Sequence, residues 1–207
     1  MLDRREFVRR LLADRNGLLV VTGLGSPTYD VAAAGDHPLN FYLWGGMGGA
    51  AMIGLGLALA RPDRRVVVIT GDGEALMGLG SFATIGAKAP ANLAIVVLDN
   101  QHYGETGMQA SHTQSGIDLV GVAKACRFAD ARSVSDMSEA DEVRRLLISG
   151  PGPILVAARI TKEDVPRVLP SRDGHAIKLR FLHALQSTGL ASRCMERSEI
   201  RGDFARG

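Results

Sequence analysis

Short apolar runs alternate along the chain with segments of helical periodicity. Val66–Thr70 is a β-branched run bounded by Arg65 and Gly71, the composition of a strand buried on both faces. Leu18–Thr22, Leu93–Leu98 and Ile154–Ile160 are runs of the same kind, and Arg127–Arg132 is a weaker one. Between them the pattern predicts helices over Arg4–Arg15, Gly48–Ala60, Leu76–Lys88, Ile117–Ala125, Glu139–Ile148 and His175–Leu185. Ser138 is the expected N-cap of the fifth helix, with Asp141 as its box partner. Strands separated by helices imply a single three-layer α/β/α domain with a mainly parallel sheet, spanning residues 1–187. From 188 to 207 the chain alternates Arg with Glu and Asp and carries no apolar stripe, so a disordered tail is expected there.

Composition changes this picture at one point. Glycine makes up 25 of 207 residues, against a usual share of about 7%. The glycines cluster at Gly45–Gly56 and Gly71–Gly86, which marks places where backbone must approach something closely. A formal net charge of +2, with no single-sign block, argues against a nucleic-acid partner. Leu43–Ala60 reaches the lower edge of a membrane span, but its glycine density favours a buried helix and no membrane role is expected. Met1–Arg10 is charged and amphipathic, unlike a signal-peptide core. Two cysteines without metal-type spacing fit a reduced, cytoplasmic chain.

In open α/β sheets, ligands bind at the carboxyl ends of the strands, which singles out two loops: Gly71–Ala75 and Asp99–Gly107. The first reads Gly71-Asp72-Gly73 and runs into a helix. Its glycines let backbone turn tightly against a ligand, and the helix offers free N–H groups to an anion. A carboxylate beside a diphosphate requires a divalent cation between them, so Mg²⁺ bridging Asp72 to phosphate is one reading. A plain turn is the other. Asn100 shifts the balance, because it follows Asp72 by 28 positions, enough for one helix and one strand, and so emerges at the same sheet edge with an amide oxygen.

Gly71-Asp72-Gly73 followed by Asn100 resembles the signature of thiamine diphosphate enzymes, in their diphosphate-binding domain. The resemblance implies that the metal is held by the side chains of Asp72 and Asn100 and the main-chain oxygen of His102. It implies a cofactor cradle of Gly71, Asp72, Gly73, Glu74, Ala75, Asn100, His102, Tyr103 and Gly104. Upstream, Phe41–Gly48 is similar to the segment that holds the aminopyrimidine, with Gly45 and Gly46 at the ring and Met47 propping the cofactor's bent shape; Met47 also reads as a core gap-filler. More narrowly, Asn40–Met47, Gly71–Thr84, Pro90–Asn100, Tyr103–Thr113, Gly152–Val156 and Ile177–Phe181 are similar to the β-type subunit of sulfopyruvate and phosphonopyruvate decarboxylases. Thr28-Tyr29 stands where that group often has Ser-Arg, which leaves an anionic substrate side group without that partner. Glu74 replaces a small hydroxyl residue, removing one phosphate donor.

The implied reaction is non-oxidative decarboxylation of a small 2-oxo acid to an aldehyde. Glu105 and His112 are candidate proton donors, each of which also reads as an ordinary surface residue. The family needs a glutamate against the pyrimidine from a second domain, and this chain has room for one domain. A separate pyrimidine-binding, α-type subunit is therefore expected, in an α₂β₂ assembly, with Leu43–Leu59 and Gly78–Ile85 facing it. Carboligation and acyl transfer in an oxidoreductase remain open, as does a non-catalytic nucleotide-binding or regulatory module. A dinucleotide site is disfavoured, since no Gly-x-Gly-x-x-Gly follows the first strand.

Overall fold

The computed structural model describes residues 1–15, 17–163 and 165–187. The elements run α1 Arg4–Leu11, β1 Leu19–Thr22, α2 Ser26–Ala33, β2 Asn40–Tyr42, α3 Ala50–Ala60 and β3 Val66–Gly71. They continue through α4 Asp72–Met77, α5 Gly80–Lys88, β4 Leu93–Asp99, β5 His102–Tyr103, β6 Gln109–Ala110, α6 Leu119–Ala125, β7 Asp130–Val134, α7 Ala140–Ser149 and β8 Ile154–Arg159. A last helix, α8, covers residues 174–187. Six strands form one parallel sheet in the order β2-β1-β3-β4-β8-β7, while β5 and β6 make a small antiparallel hairpin beside it.

Alternation along the strands divides the core into two layers. Val67 and Ile69 of β3 pack with Phe7, Leu11, Val31, Val143 and Leu147 from α1, α2 and α7. Val66 and Val68 point the other way, onto Leu55, Phe82, Ile85, Leu119 and Ala123 from α3, α5 and α6. The expected single-domain, three-layer arrangement is thus the one observed. Strands buried on both faces need no polar alternation, which is why they read as continuous apolar runs.

Several elements depart from expectation. The helix expected over Leu76–Lys88 is two helices, α4 and α5, broken where Gly78 passes against the backbone of Gly48. Helix α4 moreover begins four residues earlier, at Asp72. Four elements were given no bounds by the sequence: α2, β2 and the hairpin strands β5 and β6. Helix α2 is buried along most of its length, so no amphipathic periodicity betrays it, and β2 has only three residues. The strand expected over Arg127–Arg132 lies at Asp130–Val134, because Arg127 takes a positive φ and ends the preceding turn. The cap preceding α7 is Asp136 rather than Ser138: Asp136 accepts from the Ser138 N–H, and Glu139, rather than Asp141, reaches back to the Asp136 N–H. The tail expected at 188–207 lies outside the described residues. Among the described residues, no helix is long and apolar enough to cross a membrane.

One buried ion pair ties the N-terminal helix to α2. Asp30, with no solvent exposure, accepts from Arg4 Nε at 2.9 Å and Arg5 Nε at 3.3 Å. Burial pushes the Asp30 carboxyl above its ordinary value, against the pull of both arginines. Removing the carboxylate would leave Arg4 buried and uncompensated, a loss of about 3–5 kcal/mol. Asp30→Ala is therefore expected to lower the Tm by on the order of 10 °C in a circular-dichroism melt; an unchanged melt would show that the pair carries no net stability.

Candidate active site

The carboxyl ends of β1, β3 and β4 open into one cavity of about 630 Å³, a size suited to a small-molecule or cofactor site. Leu24, Ser26 and Pro27 line it from the turn after β1, Gly71–Glu74 from the turn after β3, and Asn100 with His102–Thr106 from the loop after β4. Met47 and His112 complete the parts that the sequence singled out. The structure thus gathers Met47, Gly71, Asp72, Gly73, Glu74, Asn100, His102, Tyr103, Gly104, Glu105 and His112 around one space. It does not bring Gly45, Gly46 or Ala75 to the lining. Gly45 and Gly46 lie on an exposed turn, and Ala75 is buried in the core layer beneath α4.

Asp72 is the first residue of α4 and is 2% exposed. Its Oδ2 accepts from the Ser111 hydroxyl, with Thr113 Oγ1 also in reach at 3.3 Å. Thr113 Oγ1 stands 2.8 Å from Asp99 Oδ1, and Asp99 is met by Arg159 at 3.2 Å. Burial holds the Asp72 carboxyl above its ordinary value; Ser111 pulls it down, and the like charge of Asp99 pushes it further up. A buried carboxylate whose partners are hydroxyl groups, with a second carboxylate near, is short of positive charge. Among the described residues no three His, Cys, Asp or Glu side chains converge as a metal group. A cation here would draw on Asp72 together with amide and main-chain oxygens, the hard donor set that Mg²⁺ accepts.

The loop after β4 is held by its own hydrogen bonds. Gln101 takes a positive φ of 66°, the Asn100 side-chain oxygen accepts from the His102 N–H at 2.9 Å, and the His102 ring lies 3.0 Å from the Asn100 carbonyl. The His102 imidazole is thereby turned back on its own loop and toward Lys162, 3.5 Å from Nε2. The β5–β6 hairpin then carries Tyr103 over the first turn of α4. A Cβ on Gly73 would stand 2.5 Å from the Tyr103 ring, so only glycine admits this contact. Tyr103 Oη reaches His112 Nδ1 at 3.4 Å, and Glu105 sits at the hairpin tip, 3.6 Å from Arg167.

Glu74 does something the sequence did not suggest. Both of its oxygens accept from the chain: Oε2 from Leu24 N at 3.0 Å and Thr70 Oγ1 at 3.0 Å, Oε1 from Ala50 N at 3.2 Å. It ties the turn after β1 and the start of α3 to α4. Burial lifts its carboxyl, and the hydrogen bond from Thr70 works against that lift. Asp99, Ser111 and Thr113 were also missed. The available signal was the pair of hydroxyls flanking His112, which lies in the turn that follows β6.

This cavity, at the carboxyl edge of a parallel sheet with a buried acid on one strand end and an amide on the next, defines a cofactor-binding α/β domain. Residues 24–158 match the family described as thiamine pyrophosphate enzyme, C-terminal TPP binding domain, and the chain belongs to it. It is similar to the sulfopyruvate decarboxylase subunit beta of Methanothermobacter thermautotrophicus, 38% identical over 182 residues that cover 88% of this chain and 95% of that one. Phosphonopyruvate decarboxylase of Streptomyces viridochromogenes is 37% identical over 170 residues, 79% of this chain and 42% of that one. In fold it resembles the benzoylformate decarboxylase from Polynucleobacter necessarius, with a TM-score of 0.67 and 21% identity over 79% of this chain. This chain spans 33% of that solved chain, about one third of its length.

Because its carboxyl is lifted, folded Asp72 retains a proton that the unfolded chain has already released. Its contribution to stability is therefore greatest below the ordinary carboxylate range and is lost as the pH rises through the lifted value. Asp72→Asn removes that penalty. The metal-free variant is expected to melt several degrees above wild type at neutral pH, with the gap closing as the pH falls into the carboxylate range. A variant melting below wild type at neutral pH would refute the reading of Asp72 as a destabilising, ligand-awaiting charge.

Proposed function

We propose that this chain is the diphosphate- and Mg²⁺-binding subunit of a thiamine diphosphate-dependent 2-oxo acid decarboxylase, completed by a separate pyrimidine-binding subunit. The observation that carries the reading is the meeting of Asp72 and the Asn100–His102 turn at neighbouring strand ends around one cavity, with Asp72 buried and short of positive charge. Asp72, the Asn100 side chain and the His102 carbonyl would hold Mg²⁺, and the first turn of α4 would face the diphosphate. Glycine at 73 is what allows close approach there. Met47 lines the same cavity and would support the bent cofactor from the side of the Gly45–Gly46 turn. When bound, thiamine diphosphate supplies the electron sink for loss of CO₂ from a 2-oxo acid.

The chain's own groups then have defined tasks. Glu105 and His112 line the cavity on the substrate side and would deliver the proton that completes the aldehyde. Tyr103 Oη, 3.4 Å from His112 Nδ1, would steady that ring. The catalytic glutamate at the pyrimidine would come from the partner, in an α₂β₂ assembly in a reducing, cytoplasmic setting. The naming of full-length relatives as β subunits supports this, as does the exposure of Met52, Leu59 and Met77 on α3 and α4.

Titrating thiamine diphosphate with Mg²⁺ into the chain, alone and mixed with the pyrimidine-domain subunit, tests the reading. Heat should appear only in the mixture and vanish with Asp72→Ala. Absence of binding in both cases would sink the cofactor assignment, and an acyl-transfer or carboligation product in place of an aldehyde would sink the decarboxylase one. In the assembled enzyme, Glu105→Gln or His112→Gln should lower kcat about 10²-fold with KM little changed. Wild-type turnover in either variant would remove that residue from proton transfer.

A further inference from the structure

The sequence leaves an anionic substrate group without an arginine at positions 28–29, and the structure shows what occupies that place. Thr28 is fully buried, its hydroxyl donating to the Gly23 carbonyl at 2.8 Å and lying 2.6 Å from Thr22 Oγ1, so it serves the turn rather than the cavity. Tyr29 is buried beside Trp44, with ring centroids 6.2 Å apart. Over the Tyr29 ring, 5.6 Å from its centroid, lies the guanidinium of Arg167.

Arg167 belongs to a stretch, residues 165–173, that has no helix or strand yet is pinned at both ends. Arg5 Nη2 donates to the Pro166 carbonyl at 2.8 Å, and Trp44 Nε1 donates to the Ser171 carbonyl at 2.7 Å. Arg172 stacks on Trp44 at 5.5 Å. Two rings and two main-chain acceptors thus hold the strap in place. On its cavity side Arg167 meets Glu105, Nη2 to Oε2 at 3.6 Å, a charge contact longer than a hydrogen bond. Glu105 lines the cavity, and Arg167, 59% exposed and outside that lining, stands next to this candidate proton donor.

Resting on the decarboxylase reading above, we infer that Arg167 determines substrate specificity: it receives an anionic substituent, a sulfonate or phosphonate, at the end of the 2-oxo acid remote from the carboxylate. An arginine fork suits such oxyanions better than a lysine would. Glu105 is the internal anion that keeps the site charge-balanced without substrate. An incoming anion replaces it on Arg167 and frees the Glu105 side chain. The guanidinium missing at 28–29 is therefore supplied in space from position 167, and Tyr29 is its seat.

The experiment uses the chain assembled with its partner subunit, thiamine diphosphate and Mg²⁺. The first readout is calorimetric binding of 3-phosphonopropionate, which lacks a keto group and cannot react. The second is kcat/KM for 3-phosphonopyruvate and 3-sulfopyruvate relative to pyruvate, which carries no second charge. Arg167→Met should weaken 3-phosphonopropionate about tenfold or more and lower the anionic-to-neutral ratio by a similar factor, with Arg167→Lys in between. Glu105→Gln should tighten 3-phosphonopropionate, since a competing anion is gone. Unchanged binding and an unchanged ratio in Arg167→Met would overturn the inference, as would an equal loss on pyruvate. Arg167-dependent binding without decarboxylation of any 2-oxo acid would sink the decarboxylase reading and leave the anion seat standing.

Discussion

The Asp72 carboxylate, buried at the head of a short helix with hydroxyl groups as its immediate partners, sets the terms for everything around it. Removing a charge from water is costly unless an opposite charge meets it. Here the neighbouring acid, Asp99, has an arginine, whereas the contacts of Asp72 are Ser111 and Thr113. The fold tolerates this because Val66–Gly71 and Leu93–Asp99 are buried strands whose pairing holds both strand ends in register. A parallel sheet with both faces covered is rigid enough to keep an unfavourable charge in place.

Two acids that are almost adjacent in sequence show how fully environment decides role. Asp72 is left available, whereas Glu74 is consumed, its oxygens taken by Leu24, Ala50 and Thr70. Glu74 is a tie between three segments that bound the cavity. A small hydroxyl residue at this position could not span them. The mouth is organised by the same logic at its other end, where aromatic rings and carbonyls secure a strap that has no secondary structure of its own.

The hydroxyls on either side of His112 link these regions. Ser111 and Thr113 reach the buried acid while His112 faces the cavity and Tyr103. Anything that alters the charge on Asp72 therefore bears on the segment that presents His112. The buried acid and the cavity-lining imidazole are thus joined through three consecutive residues.

The sequence by itself determined the layers and most of the sheet, because strands buried on both faces must be apolar throughout and Val66–Thr70 or Leu93–Leu98 admit no other reading. It also picked out the two loops that meet at the cavity, because Gly71-Asp72-Gly73 and Asn100 stand at calculable strand ends. Only the tertiary structure decided where α4 stops, since Gly78 answers to Gly48 and not to its own neighbours. It alone set the bounds of α2, whose burial on most sides erases the periodicity that a sequence reading relies on. And it alone gave Glu74 a structural task and brought Arg167 to Tyr29, because both depend on contacts between residues far apart in the chain, made in directions that no local pattern encodes.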